Sequence, residues 1–127
     1  MKLCMRVLEE SYFVCRLSNT ESTHWAEGEF VSITKTEDEC SVVCPKACIP
    51  EGVKHEGPWS VLKVEGPLDF SLIGILSFIS STLANAEISI FAISTYDTDY
   101  ILVKSEKLNE AKRCLQDAGI SFHSETL

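Results

Sequence analysis

The sequence has little that would place the protein in a membrane or on a nucleic acid. No apolar run reaches the roughly 18–20 residues that a membrane-spanning helix needs, and the longest one, Leu72–Phe78, is interrupted by Gly74 and Ser77. Basic residues are also few: 11 Lys and Arg stand against 19 Asp and Glu, which gives a net charge of −8. Because phosphate binding needs clustered Lys and Arg, we expect neither a nucleic-acid partner nor a membrane partner.

The first six residues lack the apolar segment and the small-residue cleavage site of a secretory signal. We therefore expect a cytoplasmic protein, in which the six cysteines are mostly free thiols. The three histidines are scattered along the chain, and no spacing of Ser, Cys, His and Asp indicates a nucleophile with its base. We expect no enzymatic activity and no cofactor.

Three cysteines recur every four residues, at Cys40, Cys44 and Cys48, with His55 nearby. One interpretation is a soft metal site, since thiolates and imidazole bind zinc. The other is burial, because residues at even spacing on a strand share one face. A predicted strand covers residues 40–44, which favours burial, and we expect no metal.

The first half of the chain reads as a series of short strands. These strands are predicted at Leu3–Leu8, Tyr12–Leu17, Phe30–Thr34 and Cys40–Cys44. The following segment, Pro45–Pro58, contains three prolines and two glycines, which are typical of a boundary. We therefore expect a degenerate N-terminal module in residues 1–57 and a complete C-terminal module in residues 58–127.

The second half predicts the order β-α-β-β-α-β. Apolar residues at helical spacing indicate a helix over 72–84, and Ser105 is suited to cap a second helix that ends before Gly119. Strands are predicted at Trp59–Glu65, Ile88–Ile93, Asp99–Val103 and Ile120–His123. This order is that of an α+β ferredoxin-like fold, in which the two helices cover one face of an antiparallel sheet.

The two halves share a pattern at an offset of sixty residues. The segment Ile33–Val43 aligns without a gap to Ile93–Val103, which places Glu39 against Asp99. Two explanations remain open: the chain contains two related modules, or any two hairpins with acidic turns look alike.

The run Ser94-Thr-Tyr-Asp-Thr-Asp-Tyr-Ile-Leu-Val103, preceded by Ile88-Ser-Ile-Phe91, resembles a hairpin of tandem ACT-domain proteins. That family includes small bacterial ACT proteins and the eukaryotic cytosolic arginine sensor. The segments Glu29–Val43 and Trp59–Leu68 are similar to further parts of the family pattern. The resemblance implies tandem ACT-like modules that bind an amino acid at the seam between modules, as a regulatory or sensor protein without catalysis.

The resemblance also implies which residues contact the ligand. They are the loop before the first helix, the start of the second strand and the acid that ends the hairpin turn: Asp69, Ser71, Gly74, Ile75, Ser89, Ile90 and Asp99. The arginine sensor has an acid just before its glycine, where this chain has Leu72 and Ile73, so the identity of the amino acid stays open. The sensor also has more modules than this chain, and we therefore expect a homodimer.

Elementary physical chemistry is compatible with such a site. A helix N-terminus near Ser71–Ile73 would offer N–H groups to a ligand carboxylate, and Asp99 could accept from the ligand ammonium. The alternative is a structural protein–protein interaction module that holds a dimer together and has no small-molecule ligand. The two hypotheses differ in whether Asp99 and the Gly74 region are needed for a ligand response.

Overall fold

A computed structural model describes residues 3–65 and 73–123. By its contacts the chain divides into two units, Glu9–Trp59 and the combination of Met1–Leu8 with Ser60–Leu127. In the described part the strands are β1 Cys4–Val7, β2 Tyr12–Leu17, β3 Ser32–Lys35, β4 Cys40–Pro45, β5 Lys54–Val64, β6 Ile90–Ser94, β7 Asp99–Lys104 and β8 Ser121–Phe122. The α-helices are α1 Ile75–Asn85 and α2 Leu108–Asp117, and short 3-10 helices lie at Lys46–Cys48 and Ser105–Lys107.

The Glu9–Trp59 unit is a sheet with the strand order β3-β4-β2-β5, and all neighbours are antiparallel. Successive side chains of a strand point to opposite faces, and one face of this sheet is apolar. That face carries the buried residues Cys15, Leu17, Cys40, Val42 and Cys44, against which Trp25, Ala26, Val31, Cys48, Ile49 and Val53 pack. Loop residues therefore supply the second layer of this unit.

The other unit has the strand order β6-β7-β5-β1-β8, with β5 entering through Ser60–Val64. The helices α1 and α2 cover one face, because each has an apolar stripe that must be buried. Their buried residues and those of the sheet form one core: Leu3, Met5, Leu62, Val64, Ile75, Ile79, Leu83, Ile88, Ile101, Val103, Ala111, Leu115 and Ile120.

The prediction of an α+β ferredoxin-like fold is confirmed in this unit. One feature goes beyond the predicted order: β1 lies between β5 and β8, antiparallel to β5 and parallel to β8. Leu3 and Met5 belong to the core beneath the helices, so the first eight residues group with the second half of the chain. The predicted boundary lies between residues 57 and 58, and the contacts divide the chain between Trp59 and Ser60.

Local differences from the predicted elements have identifiable causes. The strand β5 begins at Lys54, within the segment predicted as a boundary, because residues 54–59 pair with β2. Ser105 does not cap α2; it lies in the 3-10 helix, and its hydroxyl shares a 2.9 Å hydrogen bond with that of Ser60. Gly119 ends α2 with φ of 100°, as predicted. Neither helix within residues 3–65 and 73–123 is long and apolar enough to cross a membrane.

Candidate functional site

A paired serine and aspartate mark the hairpin end of the β6–β7 sheet edge. Ser94 is the last residue of β6 and lies directly opposite Asp99, the first residue of β7. The Ser94 hydroxyl donates a hydrogen bond of 2.5 Å to Oδ1 of Asp99. Both side chains alternate in phase with Ile101 and Val103, which places them on the sheet face that the helices cover. The sequence analysis named Asp99 but not Ser94. Ser94 could have been found as the residue that faces Asp99 across a four-residue turn.

The turn between the two strands is fixed by threonine hydrogen bonds. The backbone N–H of Thr95 donates to the Thr98 carbonyl at 2.8 Å, and the Thr95 hydroxyl donates to the same oxygen at 3.1 Å. Thr98 is only 5% exposed, and its hydroxyl donates to the Val64 carbonyl at 2.6 Å. The turn is therefore attached to the end of β5. The third turn residue, Asp97, is exposed, as expected of turn chemistry.

The hairpin β3–β4 in the other unit has the same turn with a different register. The N–H of Thr36 donates to the Glu39 carbonyl at 2.9 Å, and Lys35 lies opposite Cys40. The turn Thr36–Glu39 thus corresponds to Thr95–Thr98, an offset of 59 residues rather than the predicted sixty. Glu39 matches Thr98 in this register, and Asp99 has its counterpart in Cys40. A shift of one residue moves every side chain to the opposite face of a strand, so the first hairpin has no acid in the place of Asp99.

Helix α1 begins after Gly74, which has φ of 82° and forms the N-terminal cap. Its carbonyl accepts from the N–H of Phe78 at 2.8 Å, so the N–H groups of residues 75–77 have no partner within the helix. Among residues 3–65 and 73–123, nothing lies within 4 Å of a Cβ added to Gly74, so in this part of the chain the glycine serves the left-handed backbone. The helix predicted over 72–84 included Gly74, whereas the observed helix begins one residue after it. Ile75 has its side chain in the core, which leaves its N–H as the group that could meet a ligand.

Two of the predicted contact residues, Asp69 and Ser71, lie outside the described residues. Two further predicted contact residues, Ser89 and Ile90, lie at the start of β6, where Ile90 is opposite Val103. Ile90 and Ser94 are four residues apart, or about 13 Å along a strand at 3.3 Å per residue. Within one chain, the structure therefore does not bring Ser89 and Ile90 together with Asp99.

The start of α1 lies toward the same end of the unit as the hairpin turn. Helix α1 spans 11 residues, roughly 16 Å at 1.5 Å per residue, and is joined by four residues to the start of β6. Because α1 packs on the sheet and ends near Ile90, its first turn lies near the opposite end of β6, where Ser94 and Asp99 are. A carboxylate that already accepts one hydrogen bond and a positively polarised helix end thus occur at one rim of the fold. This arrangement is suited to a molecule with both an ammonium and a carboxylate group.

The cysteines that were considered as metal ligands are part of the apolar layer of the Glu9–Trp59 unit. Cys40 and Cys44 are fully buried on one strand face, which confirms the prediction of burial, and Cys48 is half-buried. Among the described residues, no group of three or more His, Cys, Asp or Glu side chains has a geometry that could hold a metal ion.

Comparison with known families defines the class of the protein. The model described as an ACT domain matches residues 54–117, just over half of the chain, and a second model that describes an N-terminal domain matches residues 10–52. The unit with β6, β7 and the two helices is thus a regulatory fold of the ferredoxin-like class. The chain belongs to the ACT domain family. ACT domains generally bind amino acids in regulatory roles.

Solved structures agree with this assignment. A protein from Agrobacterium tumefaciens is 39% identical, with a TM-score of 0.91, and the match covers 100% of this chain and 96% of that one. A Vibrio cholerae protein of unknown function is 18% identical with a TM-score of 0.76, covering 91% and 88% of the two chains. The alpha and beta subunits of an aspartokinase are 13% identical with a TM-score of 0.65, covering 90% and 95%, and this likeness is one of fold.

Proposed function

We propose that the protein is a non-enzymatic amino-acid-binding regulatory or sensor protein. The ligand lies at the seam between the ACT-type units of two copies of the chain. The observation that carries the proposal is the Ser94–Asp99 pair at the rim of an edge strand, at the end of the unit toward which the first turn of α1 lies. The ligand ammonium binds the Asp99 carboxylate, and the ligand carboxylate accepts from the N–H groups of residues 75–77. No acid–base chemistry is required of these residues.

The homodimer part of the proposal rests on the edge strand β6. Among the described residues, β6 pairs only with β7, which makes it an edge strand of the described sheet. Two copies related by a two-fold axis through Ala92 would pair their β6 strands in antiparallel fashion. Ile90 of one copy would then lie opposite Ser94 of the other. This arrangement would unite Ser89 and Ile90 with Asp99, which a single copy keeps apart.

A thermal-shift screen with each of the twenty L-amino acids at millimolar concentration tests ligand binding. A ligand at one hundred times its Kd stabilises the folded state by about 2.7 kcal/mol, a shift of several degrees in Tm. Asp99→Asn should abolish the shift, because the amide no longer balances the ammonium charge. Asp97→Asn is the matched control, since Asp97 is an exposed acid of the same turn, and it should leave the shift unchanged. Failure of every amino acid to raise Tm would contradict the proposal.

Sedimentation velocity tests the dimer independently of the ligand. Ala92→Glu places two carboxylates next to each other at the proposed axis, and like charges directly opposite destabilise a strand pair. This variant should be monomeric and should lose the ligand response. Ala84→Glu, an exposed alanine of α1, should remain dimeric. A dimer that persists in Ala92→Glu would exclude this edge, and a dimer with no response to any amino acid would favour the structural dimerisation module.

A further inference from the structure

Three cysteine side chains meet in the Glu9–Trp59 unit. Cys15 and Cys44 belong to the same buried cluster of this unit, and Cys48 packs against that cluster. Cys15 lies on the neighbouring strand β2, where Phe13 is paired with Cys44 and Cys15 with Val42. Cys48 is the last residue of the 3-10 helix that follows β4, and its thiol also donates to the Pro45 carbonyl at 3.3 Å. All three are free thiols.

The cluster is closed on one side and accessible on the other. Cys15 and Cys44 are fully buried, whereas Cys48 is half-buried. Cys48 contributes to a cavity of about 270 Å³. The lining residues of this cavity are Glu10, Glu27, Gly28, Pro45, Ala47 and Cys48. Cys48 lines the cavity and Cys44 is fully buried, so a small reagent in the cavity would reach Cys48 before Cys44.

We propose that Cys44 and Cys48 are an oxidisable thiol pair that a small disulfide converts into an intramolecular disulfide, with Cys48 as the entry thiol. In the first step the Cys48 thiolate attacks one sulfur of the disulfide, forms a mixed disulfide and releases one thiolate. In the second step the Cys44 thiolate attacks the Cys48 sulfur and releases the second thiolate. The two cysteines together lose two electrons and two protons, and the small disulfide is reduced to two thiols.

The two steps differ in rate because the two thiols differ in surroundings. Burial in the apolar layer raises the pKa of the Cys44 thiol, and the neighbouring thiols of Cys48 and Cys15 raise it further. Two other ionisable groups of this unit, Lys46 and His55, contact the ring of Phe13. Since only the thiolate attacks, the mixed disulfide on Cys48 forms first and accumulates before Cys44 resolves it.

The cavity also selects the class of disulfide. Its ionisable wall residues other than Cys48 are the two acids Glu10 and Glu27. A positively charged disulfide is attracted to these carboxylates, and a negatively charged one is repelled. Cystamine, hydroxyethyl disulfide and oxidised glutathione share the reacting bond and differ in charge. At low salt we expect cystamine to react several-fold faster than oxidised glutathione, with hydroxyethyl disulfide between them.

Peptide mapping tests the linkage, because trypsin cleaves after Lys46. Cys44 is then in the peptide Thr36–Lys46 and Cys48 in Ala47–Lys54. The reduced protein, carrying Cys40→Ala so that the first peptide has one cysteine, is treated with cystamine, quenched with N-ethylmaleimide and digested. The expected product is the two peptides joined by a disulfide. Cys44→Ala should stop at a cystamine adduct on Cys48, and Cys48→Ala should give neither product.

The remaining half-buried cysteines, Cys4 and Cys114, serve as internal controls in the same digest. They should not form a linked peptide at a comparable rate. Absence of the joined peptide, or equal yields of links through Cys4 or Cys114, would overturn the thiol pair. Glu27→Gln should reduce the preference for cystamine over oxidised glutathione. Equal rates for the two reagents in the unmodified cavity would overturn the charge selection.

Discussion

Replacing Thr98 by valine removes one hydroxyl from a buried position and changes the side-chain volume little. That hydroxyl donates to the Val64 carbonyl at 2.6 Å and joins the β6–β7 turn to the end of β5. A typical hydrogen bond contributes about 1 kcal/mol to stability, and a buried acceptor that loses its donor costs about 1–3 kcal/mol. We therefore expect the free energy of unfolding to fall by about 2 kcal/mol. For a chain of 127 residues this corresponds to roughly 8 °C in Tm.

Urea denaturation followed by circular dichroism measures this loss, and the slope of the transition should stay unchanged. Thr95→Val is the matched control, since it removes a hydroxyl from the first residue of the same turn, which is exposed. Its cost should stay below about 1 kcal/mol, because water can replace an exposed hydrogen bond. Thr98→Ser keeps the donor and should recover part of the stability. If Thr98→Val cost no more than Thr95→Val, the turn would not be attached to β5 through this bond.

Two further predictions concern a pair of glycines and the buried thiols. Gly74→Ala should lower the free energy of unfolding by about 1–2 kcal/mol in a urea titration, because φ is 82° at this position, although the added Cβ would contact none of the described residues. Gly57→Ala should lower it by more, because its Cβ would lie 2.7 Å from the Phe13 ring. Equal costs would contradict this steric ranking. Burial raises the pKa of Cys15 and Cys44, so these thiols stay protonated in the folded state where they ionise in the unfolded chain. Their stabilising contribution is present below about pH 9, the ordinary thiol pKa, and is lost as pH rises above it. Between pH 7 and 10.5, the free energy of unfolding should therefore decline more steeply in the wild type than in Cys44→Ala.

The sequence predicted the second half of the fold well because its signals are local. The apolar stripe of α1, the left-handed Gly119 and the β-branched strands on either side of the Thr95–Thr98 turn each depend on a few neighbouring residues. The helix start was less accurate, since Gly74 fits equally well inside a helix pattern or at its cap. The one-residue error in the hairpin offset arose because acidic residues were matched instead of the turn threonines.

One feature of the fold and one of the candidate site depend on pairings that local patterns do not contain. The placement of β1 between β5 and β8 joins residues that are far apart in sequence, and nothing within Cys4–Val7 indicates its neighbours. The distance between Ile90 and Asp99 likewise follows from the register of β6 and β7. The resemblance implied that both contact the ligand, and only the sheet shows that they lie at opposite ends of the β6–β7 hairpin.

The position of β1 also has a consequence for the order of folding. Met5 lies opposite Val64 on one side and Phe122 on the other, so its strand contacts segments from the middle and the far part of the chain. During synthesis one edge of the first strand can pair once residues 62–64 have been made, but its other edge stays unpaired until residues 121–122 follow. Contacts of such long range slow folding and leave strand edges exposed in the meantime. A ribosome-bound chain that stops before residue 121 should accordingly remain a substrate for chaperones, and release of the last strand should complete the unit.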